Sequence, residues 1–282
     1  MAELMSYVDR ATRTYWRVTG RRVHLDVDRW LDAPMHRRSV VGDDWLTDAA
    51  DAVGASVRRG DEEAGLLPDF SALDGPTFDA REVHPEIRDF YEHTAQWRME
   101  VWTQWNPFMR PAGDLVARYF GRRVRQLTIP TRPLDVALGM DSEVAAIVAP
   151  DGRQHGAGWI RTLRSTGAYV YSGYYRTTTL PGTEQPSVHV SFPLESGNVQ
   201  VFLRPRALSD GGLELNSLPG PFGSDGAYIA VEKNGRTHAA RVPLHEKFHL
   251  YLDDEGVVRT DHTLRFRSTT AVRLHYKLTR KS

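Results

Sequence analysis

The sequence predicts an α+β fold in which an N-terminal helical region packs on a large antiparallel β-barrel or sandwich of about ten strands. Up to about Leu127, apolar residues recur at helical spacing between breaks marked by Pro and Gly, whereas from about Glu143 onward they alternate with polar residues. The alternating runs are short and are separated by turn sequences such as Asn234-Gly235. Since no helical stretch lies between these runs, a parallel α/β sheet is excluded.

This change of pattern divides the chain into three segments. Residues 1–127 form the helical region, which includes a long loop around 60–80, and residues 128–142 are a linker that contains two prolines. Residues 143–282 form the barrel or sandwich. Leading helices followed by many antiparallel strands are similar in plan to lipocalin-like barrels, an analogy of architecture that says little about activity.

Three segments of the N-terminal region have helical periodicity, namely residues 43–59, 84–105 and 110–127. The clearest is 84–105, which has Pro85 at a first-turn position and an aromatic stripe that includes Trp97. We expect these helices to dock their apolar stripes on the rest of the protein, because that is the usual role of amphipathic surface helices.

Composition limits the classes of partner and cofactor. Acidic and basic residues balance at 36 each, which argues against a nucleic-acid-binding protein. The chain has no Cys, and no apolar run approaches the roughly 20 residues that span a bilayer. We expect a cytoplasmic protein, because the N-terminus lacks the pattern of a secretion signal. No nucleotide or flavin motif is present, so we expect no cofactor.

A membrane-peripheral protein is a less favoured alternative. The segment that contains Phe108, Tyr119 and Phe120 also carries several arginines, and such a basic, aromatic helix could lie on an anionic membrane surface. The same pattern is typical of a helix that packs on its own protein.

Residues 245–249, His-Glu-Lys-Phe-His, have the letters of a zinc-protease helix. However, Phe248, Leu250 and Leu252 alternate with polar residues, which indicates a strand. In a strand the two histidines lie on the order of 13 Å apart, at about 3.3 Å per residue, too far to bind one zinc ion. An HExxH metallohydrolase is therefore a minor alternative, and we expect no metal site.

The same strand forms a predicted hairpin with the run that follows it. A three-residue loop with Gly256 in the left-handed conformation pairs Asp253 with Val257 and keeps one face of the hairpin apolar. That register makes His249 and Asp261 cross-strand neighbours, an alternative acid–base pair in which the carboxylate orients the imidazole. A solvated face of ion pairs is the commoner interpretation of such a pattern.

Two histidines and a tyrosine fall on apolar faces and are the candidate catalytic residues. In the hairpin just described His262 lies among apolar residues, and Tyr276 alternates with apolar residues on the last strand. A two-residue Asn-Gly turn pairs Lys233 with Arg236 and puts His238 on the buried side of its strand. A buried imidazole or phenol must find a partner or face a cavity. A core histidine bound to a backbone carbonyl is an equally good explanation.

Aromatic residues supply candidate walls for a substrate-binding pocket. Tyr171 and Tyr175 lie in the run AYVYSGYYR, and Trp159 lies in the preceding run. Arg161 could meet an anionic group of the ligand, and the helix that bears Trp97 could cap or brace the pocket. Ordinary strand propensity explains the tyrosines almost as well.

Together these features predict a cofactor-independent enzyme that encloses a hydrophobic small molecule in a β-barrel pocket. It would promote cyclisation, isomerisation or elimination by acid–base chemistry, as in natural-product biosynthesis. A non-catalytic carrier or sensor of lipid-like ligands would use the same pocket without its acid–base residues. The expected partner is the hydrophobic substrate or ligand, and a homodimer is left open.

Overall fold

The computed structural model describes residues 13–36, 42–106 and 139–281. They form a 14-stranded sheet in which each pair of neighbouring strands is antiparallel. All ten runs predicted as strands are present, as β4–β8 and β10–β14. The strands are β1 Arg21–Val23, β2 Ser56–Arg58, β3 Trp97–Trp105, β4 Met140–Val148, β5 Gln154–Leu163, β6 Tyr169–Thr179, β7 Pro186–Leu194, β8 Gly197–Ala207, β9 Leu213–Asn216, β10 Gly226–Lys233, β11 Arg236–Val242, β12 Leu244–Leu252, β13 Val258–Phe266 and β14 Thr269–Arg280.

The main path through the sheet is β2-β4-β5-β6-β7-β8-β9-β12-β13-β14-β3. Strand β8 is a branch point: its first half pairs with β10, and its last residues pair with β9. The side branch continues from β10 to β11 and β1. Within the described ranges no ladder joins β3 to β2 or β4, so backbone hydrogen bonds do not close the sheet.

Two α-helices and several short 3-10 turns accompany the sheet, and residues 13–19 are also helical. Helix α1 is Trp45–Ala52 and helix α2 is Pro85–Glu92. The predicted helix 43–59 is thus helical in its first part only, because the chain turns at Gly54, whose φ is 64°. Helix α1 buries Trp45 against the outer face of the sheet, where its indole N–H donates to Ser172 Oγ at 2.9 Å.

The predicted helix 84–105 is wrong in its second half, because α2 ends at Glu92 and β3 begins at Trp97. Trp97, Val101 and Trp105 are spaced by four, an even number that fits one face of a strand as well as one face of a helix. The intervening Met99 is also partly buried, and burial alternates along β3. Period two was therefore the correct interpretation, and β3 pairs with β14 at the end of the sheet.

The hairpin between β12 and β13 has the predicted register. Asp253 pairs with Val257, whose carbonyl accepts the Asp253 amide at 3.0 Å, and Gly256 has a φ of 73°. His249 lies opposite Asp261, as expected. The His-Glu-Lys-Phe-His sequence is part of strand β12.

The Asn-Gly turn between β10 and β11 is also formed as predicted, but His238 is only half-buried and lies on the less buried face of β11. The buried residues of β11 are Thr237 and Ala239, whereas His238 is partly exposed. Ala239 packs with Trp30 in a small outer core. Ala239 and Ala240 are equally apolar and lie on opposite faces of β11. The alternation of apolar and polar residues therefore does not show which face of this strand is buried.

The predicted loop around 60–80 consists of turns and short 3-10 segments, and it packs on the rest of the protein. Leu66, Leu67 and Phe70 are almost completely buried and join α2 in the main hydrophobic core. The predicted helix 110–127, with Tyr119 and Phe120, lies outside the described residues, as do Phe108 and most of the linker. In the described part of the chain no helix combines the length and apolarity needed to cross a membrane.

Candidate functional site

The inner face of the curved sheet lines a cavity of about 150 Å³. A cavity of this volume in a protein core accommodates a molecule about the size of benzene. Side chains from β3, β5–β9 and β12–β14 contribute to its walls, and most of them are aliphatic or aromatic. The polar side chains in its lining are Tyr91, Arg161, Tyr171, Tyr175, Glu246, Thr260, His262 and Tyr276.

Residues from outside the sheet also contribute to the lining. Leu66 comes from the packed loop, and Phe90 and Tyr91 come from α2. The ring of Phe90 packs edge-on against Trp159 and Trp97, with centroids 6.1 and 6.0 Å away. Trp97 is not part of the lining but lies behind Phe90, where its indole N–H donates to Asp89 Oδ2 at 2.9 Å.

His262 lies in the wall of the cavity between a carboxylate and a phenol. Its Nε2 is 3.1 Å from Glu246 Oε2, and its Nδ1 is 3.4 Å from the Tyr276 hydroxyl. The imidazole stacks on Phe248, its cross-strand neighbour, with ring centroids 3.7 Å apart. An ionised Glu246 accepts a hydrogen bond from Nε2–H, which leaves Nδ1 as the acceptor that faces Tyr276.

Burial keeps the tyrosines of the cavity in their neutral form. It raises the pKa of Tyr276 to about 12, although the positive charge of Arg161 acts in the opposite direction. Burial also raises the pKa of Tyr171 and of Tyr175, whose hydroxyl oxygens are 2.6 Å apart. One hydroxyl of this pair donates to the other, so the second retains a hydrogen that can be donated to a ligand.

Gly173 allows the two tyrosine rings to meet. Tyr171 and Tyr175 are four residues apart on β6, so their Cα atoms are separated by roughly 13 Å. Their rings lean toward each other past Gly173, where a Cβ atom would lie 3.0 Å from Tyr171 Cε1 and from its hydroxyl oxygen. The absent side chain thus provides the space for this hydroxyl pair.

Arg161 is a buried cation in the cavity wall, with 6% of its surface exposed. Its guanidinium lies 5.3 Å from the Trp159 ring centroid, and Nη2 is 3.4 Å from Met140 Sδ. Burial lowers the pKa of Arg161, and the neighbouring tyrosine hydroxyls, that of Tyr276 first, act to raise it. The nearby Arg164 lies on the surface, where it pairs with Asp141.

The remaining sequence-predicted residues lie outside this cavity. His249 and Asp261 are on the outer face of the β12–β13 hairpin, where Asp261 Oδ1 is 2.8 Å from His275 Nδ1. His238 is on β11, in the side branch of the sheet. Of the candidates, the structure therefore brings together His262, Tyr276, Tyr171, Tyr175, Arg161 and Trp159.

Sequence reasoning missed Glu246, the carboxylate that contacts His262. The signal was present, because Glu246 has the same parity as Phe248 and Leu250 and therefore belongs to the apolar face of β12. A carboxylate at such a position requires a partner in the interior. In the zinc-protease letter pattern the histidines, His245 and His249, lie on the opposite face of this strand from Glu246.

Neither a metal cluster nor a similar protein identifies the chemistry of the site. Within residues 13–36, 42–106 and 139–281, no group of three or more His, Cys, Asp or Glu side chains could hold a metal ion. No protein-family model matches the chain, and none of the curated proteins or solved structures is detectably similar to it. Inferences about function therefore depend on the cavity itself.

Proposed function

We propose that this protein is a cofactor-independent enzyme that encloses a small hydrophobic molecule and promotes its isomerisation, cyclisation or elimination. The observation that carries the proposal is the placement of His262 between Glu246 and Tyr276 in the wall of a cavity whose lining is mostly apolar. A titratable group in a largely apolar pocket, with a carboxylate to orient it, is a common arrangement of general acid–base catalysis.

His262 and Tyr276 act as a proton relay. A proton of the ligand passes to the Tyr276 hydroxyl oxygen while Tyr276 gives its own proton to His262 Nδ1. Glu246 stabilises the imidazolium that forms. Because both transfers occur together, no free tyrosinate forms, in keeping with the raised pKa of Tyr276.

The proton balance defines the class of reaction. Return of the proton to a different atom of the ligand gives an isomer, or a ring if a new bond closes between the two steps. Return to a departing hydroxyl group releases water and leaves a double bond. Each sequence regenerates the starting enzyme and needs no oxidant or reductant. The hydroxyl pair of Tyr171 and Tyr175 can donate a hydrogen bond to oxygen charge that develops on the ligand.

The proposal is tested by incubating the protein in D₂O with a small-molecule extract of the cells that produce it. We expect the wild-type protein to convert one component to an isomer or a dehydrated product, and deuterium to appear on carbon wherever the proton returns to carbon. The variants His262→Gln and Tyr276→Phe should react about 10²- to 10⁴-fold more slowly. Mass spectrometry of the extract measures both results.

His275→Gln is the matched control, because His275 lies on the outer face of β14, next to Tyr276 in sequence. It should leave the rate unchanged. Equal rates for His262→Gln and the wild type would exclude the acid–base role. A component that binds to both proteins and is recovered unchanged from both would identify a carrier of hydrophobic ligands, which the apolar walls would also suit.

A further inference from the structure

We propose that the ligand of this cavity is a monoanion, a carboxylate on a small hydrophobic body, and that Arg161 binds its carboxylate group. The inference rests on the proposed function, because it names the substrate class of the same cavity.

The first argument is the missing counter-ion of Arg161. Its guanidinium has five N–H donors, and the hydrogen bond found for it among the described residues is the one to the Met140 thioether, a weak acceptor. No Asp or Glu in those residues forms an ion pair with it. Burial of a charge costs several kcal/mol unless the charge is paired. The guanidinium therefore provides strong, unused donors in the wall of a cavity.

The other buried charged side chains of the described ranges all have partners of opposite charge. Besides Arg161, the buried Arg, Lys, Asp and Glu side chains of the described ranges are those of Glu214 and Asp225. Glu214 is paired with Arg206 and Lys247, and Asp225 is paired with Arg204. Each buried carboxylate thus has a cationic partner, whereas the buried guanidinium does not have an anionic one.

The second argument is the set of donors around Arg161. The hydroxyls of Tyr276, Tyr171 and Tyr175 line the same cavity as Arg161. Tyr276 donates its hydrogen to His262 Nδ1, whereas the hydrogen-bonded pair of Tyr171 and Tyr175 keeps one hydrogen free for a ligand. Arginine binds a planar carboxylate through two parallel N–H···O bonds, and a neighbouring hydroxyl can add a third hydrogen bond. The Arg161 guanidinium and the free hydrogen of the Tyr171/Tyr175 pair are therefore the donors that this cavity offers to an oxyanion.

Charge and size restrict the anion further. Besides Arg161, the one Arg, Lys, Asp or Glu side chain in the cavity lining is Glu246, whose carboxylate is hydrogen-bonded to His262. A monoanion matches the single positive charge of Arg161, whereas the second charge of a phosphate dianion meets no further Arg or Lys in this lining. A volume of about 150 Å³ with apolar walls fits a body of about one ring beside the carboxylate. An aromatic or branched carboxylic acid is therefore the expected class.

The experiment compares two probes of the same shape that differ in charge, 4-fluorobenzoate and 4-fluorobenzamide, by fluorine NMR titration of the full chain. We expect the benzoate to bind about 10-fold or more tightly than the amide, as a charge-assisted hydrogen bond provides. A third probe, 4-fluorophenyl phosphate, should bind more weakly than the benzoate.

The outcomes separate the two proposals. Equal binding of the benzoate and the amide would overturn the anion assignment while leaving the cavity and the proposed enzyme intact. Binding of neither probe would remove both proposals. Tighter binding of the phosphate would replace the carboxylate with another anion and overturn the assignment.

Two substitutions then locate the carboxylate. Arg161→Met should remove the preference for the benzoate without weakening the amide, and Arg161→Lys should retain part of it. Arg164→Met is the matched control, because Arg164 lies three residues away on the surface, and it should leave the preference unchanged. A preference that survives in Arg161→Met contradicts the assignment. If Arg161→Met does not fold, the relative affinities of the wild type and of Arg161→Lys for the benzoate and the amide still test whether Arg161 binds the carboxylate.

Discussion

Arg161 and Glu246 stand in an apolar wall where neither contributes to a hydrophobic core. Glu246 is hydrogen-bonded to His262, but Arg161 has no carboxylate partner among the described residues. Buried polar groups that cost stability are characteristic of ligand-binding sites, because function requires them to be unpaired in the free protein. Substitution of such side chains should therefore change the free energy of unfolding.

Replacement of Arg161 by Met should stabilise the ligand-free protein. The change removes a buried charge without an anionic partner and retains an unbranched apolar side chain, so we expect the free energy of unfolding to rise by about 1–3 kcal/mol. Denaturant unfolding of the two proteins, with Arg164→Met as the control, measures this difference. A clear loss of stability would mean that the guanidinium holds the fold together instead of awaiting a ligand.

Tyr276 should make stability depend on alkaline pH. Its pKa is about 12 in the folded protein, whereas an unfolded tyrosine ionises near 10. Below pH 10 both states are protonated and the full stability is present. Between pH 10 and 12 the unfolded state loses its proton first, so stability falls as pH rises.

Melting temperatures of wild type and Tyr276→Phe across pH 9–12 measure this contribution. We expect the wild type to lose stability more steeply above pH 10, because phenylalanine has no proton to lose. Identical slopes for the two proteins would show that the Tyr276 hydroxyl ionises normally and does not lie in a closed, apolar environment.

Strands β5, β6 and β12–β14 place the polar groups of the site, and each does so through its alternation of faces. On β6 this depends on Gly173, which lets Tyr171 lean toward Tyr175. A side chain at this position occupies the space of the Tyr171 ring. The hydroxyl pair is therefore a property of the strand, not of either tyrosine alone.

Gly173→Val should separate the two hydroxyls and lower stability by about 1–3 kcal/mol, the usual cost of overpacking. Affinity for 4-fluorobenzoate should fall with it, and Gly173→Ala should have a smaller effect on both. Thr179→Val, at an exposed position of the same strand, controls for the change in strand propensity. Unchanged affinity in Gly173→Val would show that the tyrosine pair does not contact the ligand.

Local pattern was sufficient to predict ten strands and the registers of two hairpins, because alternation and turn residues determine them over a few neighbouring positions. It failed for β3, where a spacing of four fits both a helix and a strand. It also failed for the face of β11, where Ala239 and Ala240 are equally apolar.

Pairings between distant segments, such as β9 with β12 and β14 with β3, leave no local signal. The pairing of β9 with β12 connects the part of the sheet that carries Arg161 to the part that carries His262. The sequence could therefore nominate both residues but could not show that they share a site, nor that His238 lies elsewhere.

The described part of the chain is a curved antiparallel sheet whose inner face is partly covered by α2 and a packed loop, with a small cavity between them. The outer face of the sheet is covered in turn by α1 and by the segment around Trp30. Packing on both sides of the sheet leaves a cavity with a defined set of wall residues. Its access to a ligand is the claim on which the proposed function depends.

A crystal of the protein grown or soaked with 4-bromobenzoate tests that claim most directly, because the anomalous signal of bromine locates the probe without ambiguity. We predict a bromine peak inside the cavity among apolar side chains such as Phe248 and Leu250, with the carboxylate on Arg161. A cavity that stays empty while the probe is present, or a peak confined to the outer surface, would contradict the account.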